Sequence, residues 1–263
     1  MKTDSLGGRM KTYEDAYRIH LPRRLPIIIR VDGRAFHTFT RWFEKPFDRV
    51  FMASMQETAM NLCSSVAGCK LAYVQSDEIS LLVTNDDTIE TQPWFGNGLQ
   101  KLTSITASIA TLTFNVAFER IADTRCFEEF LLTPEEHEEE MKYERRRRAL
   151  VYQSVAYSAT FDSRAFVMPK DEVANYFIWR QQDAIRNSIQ SSAQSLYSHK
   201  ELQGKNSLRL LEMIAQKGVN WNSYSADCQR GACVVQETSR GWRVDRDIPI
   251  FTQNREYIEG RMP

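Results

Sequence analysis

The sequence predicts an α+β fold. Its elements run strand, helix, strand, strand, helix, strand, the ferredoxin-like (βαββαβ) order, followed by a helical C-terminal elaboration. Three observations predict it. Ile27 to Val31 is apolar until its last residues, as a buried strand is. Phe51, Met55, Ala59 and Leu62 repeat at helical spacing behind Asp48, a residue suited to capping a helix start. Cys69 to Val74 and Ile79 to Thr84 are two strand-like runs around one short turn, which reads as a hairpin.

The remaining elements follow in chain order. The helix behind Asp48 is expected to reach about Ser64, with Gly68 breaking it before the hairpin. Asn85-Asp86-Asp87 and Pro93 to Gly98 carry loop chemistry. Leu99 to Glu119, rich in Ala, Ser, Thr and Leu, is expected to be helical, and Ala159 to Val167 to be the fourth strand. Glu172 to Tyr197 and Leu208 to Lys217 are further helical segments, and Gly231 to Glu237 with Gly241 to Val244 reads as a terminal hairpin. The expected division is 1–168 for a catalytic unit and 169–263 for a helical and small-β extension packed on the same domain.

Composition excludes some functions. Lys+Arg and Asp+Glu are both 34, so no global field draws in a polyanion and any such surface must be local. Hydrophobic residues are 42 %, enough for a substantial core. No stretch of eighteen apolar residues suggests a membrane span, and the first residues lack the apolar centre of a signal peptide. Five scattered cysteines (Cys63, Cys69, Cys126, Cys228 and Cys233) argue for a reducing compartment, and Cys228 with Cys233 lacks the companions a zinc site requires.

Two acidic turns carry the chemistry. Arg30-Val31-Asp32-Gly33-Arg34-Ala35-Phe36-His37 follows the first strand, and Gln75-Ser76-Asp77-Glu78 joins the two strands of the hairpin. Singly, each is an ordinary turn, since Asp-Gly pairs and charged hairpin tips are common. Jointly they are more specific. In this topology, shared with nucleic-acid polymerase palms and nucleotide cyclases, the first strand lies beside the hairpin, so Asp32 and Asp77 meet at the rim of the sheet. Two carboxylates with water and phosphate oxygens suit Mg²⁺. Gly33 allows close approach of a phosphate or metal to the backbone. Strand alternation suggests that if Asp77 faces the same side as Asp32, Glu78 faces away. Arg145-Arg146-Arg147-Arg148, preceded by Thr133-Pro134-Glu135-Glu136, reads equally as a well-charged surface helix or an RNA-contact patch. Tyr176 to Asp183 interleaves aromatics with charges, more in keeping with core packing than with base stacking. Lys205-Asn206 opening a helix and Arg230-Gly231 before a strand have the chemistry to hold phosphates.

These motifs, together with Lys101, Phe161-Asp162-Ser163-Arg164-Ala165 and Trp179-Arg180-Gln181, resemble in order and spacing the tRNA(His) guanylyltransferase family and its Thg1-like members, the 3′-to-5′ polymerases. The resemblance implies a palm-like catalytic domain with two Mg²⁺ ions on Asp32, the Gly33 carbonyl and Asp77, with Asp32 and Asp77 as catalytic residues. It implies that Asp32, Gly33, Arg34, Ala35, Phe36 and His37, with Ser76 and Asp77, surround the incoming nucleotide, and that Lys101, Lys205 and Asn206 contact its triphosphate. ATP or GTP would activate a tRNA 5′-phosphate, which the 3′-hydroxyl of an incoming nucleotide then attacks. A cytoplasmic homotetramer, a dimer of dimers away from any membrane, is implied as well. Arg145, Arg146, Arg147, Arg148 and Arg186 are the expected tRNA contacts. One departure matters: where the eukaryotic enzymes carry His-Ile-Asn-Asn, this chain has Ile185-Arg186-Asn187-Ser188, which keeps only Asn187. That favours repair of 5′-truncated tRNA over dedicated addition of an extra G to tRNA(His). A cyclase or conventional polymerase on the same topology is disfavoured by Lys205-Asn206 and Trp179-Arg180-Gln181, and a non-catalytic tRNA-binding protein by the intact acidic pair.

Overall fold

The computed structural model describes residues 5–131, 139–237 and 241–263. After α1 (Leu6–Asp15) come β1 (Ile27–Gly33), the short α2 (Phe36–Phe39), α3 (Arg49–Ser65), and the hairpin β2 (Cys69–Gln75) and β3 (Glu78–Val83). Then follow α4 (Leu99–Leu131), α5 (Glu139–Val155) and β4 (Phe161–Val167). The C-terminal part holds α6 (Lys170–Gln194), α7 (His199–Leu202), α8 (Ser207–Gln216), α9 (Ala226–Arg230), β5 (Ala232–Glu237), β6 (Gly241–Asp245) and α10 (Glu256–Glu259).

The strands form one antiparallel sheet in the order β4-β1-β3-β2-β5-β6. Both of its faces are covered, which explains why Ile27-Ile28-Ile29 is continuously apolar rather than alternating. Ile27, Ile29 and Val31 join α3 and α4 in one core that includes Leu62, Phe114 and Phe118. Ile28, Leu71 and Leu82 face the other side and pack on Val173 and Phe177 of α6 and on Ile248 and Phe251. The C-terminal hairpin extends this same sheet, because β5 pairs with β2 from Leu71↔Val235 to Val74↔Ala232.

Asp48 caps α3 as its sequence position suggests, its Oδ1 accepting from the Phe51 amide at 2.9 Å. α4 runs twelve residues past Glu119, because Ala122 and Cys126 continue its core-facing spacing. Thr133 and Pro134, the expected cap and first turn before the arginine run, lie outside the described residues. Beyond the sheet, the C-terminal half of α6 packs on α8 through Ile189, Leu210 and Ile214.

Candidate active site

β1 alternates. With Ile29 and Val31 committed to the α3–α4 core, Arg30 and Asp32 must face the α6 side. The register builds a polar patch around them. Asp32 lies opposite Glu78 on β3 and Asp162 on β4, while Arg30 lies opposite Ser80 and Arg164. An acidic row at the rim therefore sits beside a row carrying two arginines. Arg30 Nη2 donates to Asp32 Oδ2 at 3.2 Å, and Arg164 Nη2 lies 3.1 Å from Asp162 and 3.8 Å from Asp32.

Glu78 does not face away. Paired residues on neighbouring strands share a face, and Asp32 pairs with Glu78. The period-two alternation stops at Glu78 because Ser76 and Asp77 form the turn itself, with Ser76 in the left-handed region at φ 48°. Glu78 is buried and held by α6: Arg180 donates to its two oxygens at 2.8 and 2.7 Å. The Tyr176 and Ser80 hydroxyls share a 2.8 Å hydrogen bond beside it.

The end of β1 is tied to the hairpin turn, the Gly33 amide donating to the Asp77 carbonyl at 3.0 Å. Asp77 is held above the ordinary carboxylate range by burial first and by the charges of Asp32 and Glu78, against hydrogen bonds from its own backbone and Ser76. The Gly33–Asp77 hydrogen bond thus brings the two predicted aspartates to one end of the sheet. Their repulsion and their all-oxygen donor set fit a hard divalent cation, with the Gly33 carbonyl at the same strand end.

The segment after β1 divides between fold and site. The Arg34 amide donates to the Thr160 carbonyl at 2.9 Å, and the Arg34, Ala35 and His37 side chains are exposed. Ala35 takes φ 58°, and α2 begins with no side-chain cap, leaving its first amides without intrahelical partners. The Phe36 side chain serves the fold. Its ring is buried 4.9–5.9 Å from the rings of Phe39, Phe51, Phe114 and Phe161, so it is a core residue and only its backbone can meet a nucleotide. The missing side chain of Gly33 serves that packing: a Cβ there would lie 2.4 Å from Phe36 Cδ2.

Other expected contacts lie apart. Lys101 is exposed in the first turn of α4, 5.5 Å over the Phe95 ring. It precedes Thr106, whose hydroxyl meets Ser163 opposite Val31, and Thr111, which accepts from the Phe161 amide opposite Gly33. α4 therefore carries Lys101 away from the Asp32 end of β1. Lys205 is exposed ahead of α8, and Asn206 caps that helix by accepting from the Arg209 amide at 3.0 Å. Arg230 donates to the Ile248 carbonyl at 2.8 Å and so braces the fold. Arg186 is exposed and paired with Asp183 at 2.7 Å. On α5, Arg147 pairs with Glu144 at 3.0 Å, and Arg145 and Arg148 are half-buried beside the exposed Arg146. Asn187 lines a cleft with Phe47, Ser76 and Gly231, next to the acidic turn.

The residues that sequence reasoning left without roles are Arg30, Glu78, Arg164 and Arg180. Arg30 and Arg164 stood in the quoted motifs, but only the β4–β1–β3 register shows that both address Asp32.

A model of the Thg1 family, described as tRNAHis guanylyltransferase, matches residues 7–169, well over half of the chain. The chain belongs to this family. Among its relatives, a probable tRNA(His) guanylyltransferase of Dictyostelium discoideum is 25 % identical over 232 residues, covering 81 % of this chain and 78 % of its own. A solved bacterial tRNA(His) guanylyltransferase (Thg1)-like protein in complex with ATP is 43 % identical, with a TM-score of 0.81 over 98 % of this chain and 99 % of its own. One in complex with GTP is 39 % identical with a TM-score of 0.72 over the same shares. The tRNA(His) guanylyltransferase structure from Saccharomyces cerevisiae, 20 % identical at a TM-score of 0.64 over 92 % of this chain and 98 % of its own, shares the fold. Family membership thus agrees with the motif order. Among the described residues no helix is long and apolar enough to cross a membrane.

Proposed function

We propose that this chain is a template-dependent 3′-to-5′ nucleotidyltransferase that restores nucleotides at the 5′ end of truncated tRNA. The observation that carries the reading is the meeting of Asp32 and Asp77 at one sheet rim, joined through the Gly33–Asp77 hydrogen bond. Residues 1–168 form the ferredoxin-like, palm-like catalytic unit in this reading and 169–263 its extension, working in a cytoplasmic homotetramer.

The reaction has two steps. A 5′-phosphate oxygen of the tRNA attacks the α-phosphorus of ATP or GTP and pyrophosphate leaves. The 3′-hydroxyl of the incoming nucleotide then attacks the activated 5′-phosphorus; the nucleoside monophosphate leaves and the hydroxyl proton passes to solvent. Two Mg²⁺ ions on Asp32, the Gly33 carbonyl and Asp77 would activate the attacking oxygen and offset charge on the leaving group. Arg30 and Arg164 hold positive charge beside Asp32, where negative charge accumulates on the reacting phosphate. On the family resemblance Arg34, His37 and Ser76 are assigned to the incoming nucleotide and Lys205 and Asn206 to its triphosphate, while Lys101 is set back along α4.

The Ile185-Arg186-Asn187-Ser188 departure favours repair. Pairing with the opposite strand supplies base selectivity, so the protein need grip only tRNA shape and backbone. The test compares kcat/KM for a tRNA lacking its first nucleotide with that for full-length tRNA(His), across all four nucleotides. Preference for the truncated tRNA and the complementary nucleotide is expected. A strong preference for full-length tRNA(His) with GTP, whatever the opposing base, would instead establish dedicated G addition.

A further inference from the structure

The loop between α2 and α3 and the outer face of α5 enclose a cleft of about 370 Å³, in the lower range of small-ligand pockets. Four of its lining residues are cationic: Arg41, Lys45, Arg147 and Arg148. Its two carboxylates are already engaged, Glu44 toward Arg125 at 3.7 Å and Glu144 with Arg147 at 3.0 Å. Among the described residues Arg41 makes no ion pair. With Glu144 matched by Arg147 and Glu44 by Arg125, Arg41 and Lys45 leave the cleft locally positive on a chain of zero net charge.

An indole completes it. Trp42 lines the cleft, its surface is 65 % exposed, and among the described residues it stacks on no other ring. An exposed aromatic plane among cations has the chemistry of a platform for an unstacked base, with adjacent phosphates on the flanking side chains. We propose that this cleft holds a single-stranded nucleotide of the RNA substrate, its base against Trp42 and its backbone phosphates on Arg41 and Arg147. The inference rests on the tRNA reading above.

Position favours a polymer over a free nucleotide. The cleft loop starts just after α2, a four-residue helix of about 6 Å whose own start adjoins Gly33. The cleft lies on the α3–α4 side of the sheet, where Phe43 and Val151 join the core, whereas Asp32 faces the α6 side. A triphosphate held in the cleft would therefore lie away from the carboxylates, and only a strand passing round the end of β1 joins the two. An internal pair of a duplex offers Trp42 no free base face, so the contact selects a nucleotide that is unstacked on at least one side, as a single-stranded terminus or flap is.

The test measures tRNA binding by the full chain against salt for wild type, Trp42→Ala, Trp42→Phe, Arg41→Gln and Arg147→Gln, with nucleotide KM and oligomeric state alongside. Trp42→Ala is expected to weaken tRNA binding roughly ten-fold, with substantial recovery in Trp42→Phe. Arg41→Gln and Arg147→Gln should each reduce the slope of log K against log salt by about 1. Wild-type tRNA binding with unchanged affinity and slope in every variant overturns the cleft assignment and leaves the tRNA reading standing. An effect confined to nucleotide KM assigns the cleft to free nucleotide, and a changed oligomeric state assigns it to a contact between copies; either overturns the proposal. Absence of tRNA binding by the wild type removes the underlying reading itself.

Discussion

Replacing Arg180 with methionine tests the electrostatic support behind the acidic rim. The guanidinium donates to the Glu78 carboxylate at 2.8 and 2.7 Å, and the two residues are only 6 % and 4 % exposed. Methionine keeps much of the side-chain volume and removes the charge. Glu78 is then left with Arg30 Nε at 3.3 Å and the Ser80 hydroxyl at 3.3 Å. Losing one partner of a buried pair costs about 3–5 kcal/mol, and the remaining arginine puts this case near 3 kcal/mol. At roughly 2–4 °C per kcal/mol for a chain of this size, Tm should fall by about 6–12 °C. Adding Glu78→Gln removes the uncompensated charge and should recover more than half of that loss. Arg30, now 3.2 Å from Asp32, would be drawn toward Glu78 in the single variant, so nucleotide addition should slow as well. The assay is a double-mutant cycle on urea unfolding, with turnover measured in parallel. A single-variant loss below about 1 kcal/mol, the value of a solvated pair, or a double variant no more stable than Arg180→Met, would refute the reasoning.

Three further outcomes follow from the same geometry. Asp32→Asn and Asp77→Asn should each abolish nucleotide addition while the protein stays folded. Because burial and repulsion already disfavour the Asp77 charge, Asp77→Asn should be no less stable than wild type without Mg²⁺ and should lose the stabilisation that Mg²⁺ confers on the wild type; thermal unfolding with and without Mg²⁺ reads both effects, and retained Mg²⁺ stabilisation in Asp77→Asn would sink the ligand assignment. Gly33→Ala forces a Cβ to 2.4 Å from a Phe36 ring that four other rings hold in place, so it should cost about 1–3 kcal/mol in urea unfolding, and Phe36→Leu in that background should restore part of it; a neutral Gly33→Ala would count against the packing argument. Arg164→Gln, at a side chain 52 % exposed, should change stability by less than about 0.5 kcal/mol yet slow nucleotide addition roughly ten-fold or more; unchanged single-turnover rates would remove Arg164 from the site.

The local elements were legible in the chain because their causes are local. The Asp48 cap, the Phe51–Leu62 spacing, the Ile27 run and the turn at Ser76-Asp77 act over a few residues, and the element order they set already placed the first strand beside the hairpin. What lay beyond reach depended on pairing across long gaps. The sequence does not say that Asp32 stands between Asp162 and Glu78, that Arg30 and Arg164 converge on it, or that β5 pairs with β2, because a shift of one residue in register would turn each strand over. Glu78 escaped the alternation argument because its neighbour Asp77 belongs to the turn, where the pleat ends. Phe36 looked like part of a ligand loop because a motif does not show where a ring points. Its place was decided by four other aromatic rings drawn from α2, α3, α4 and β4, which only the assembled fold brings together.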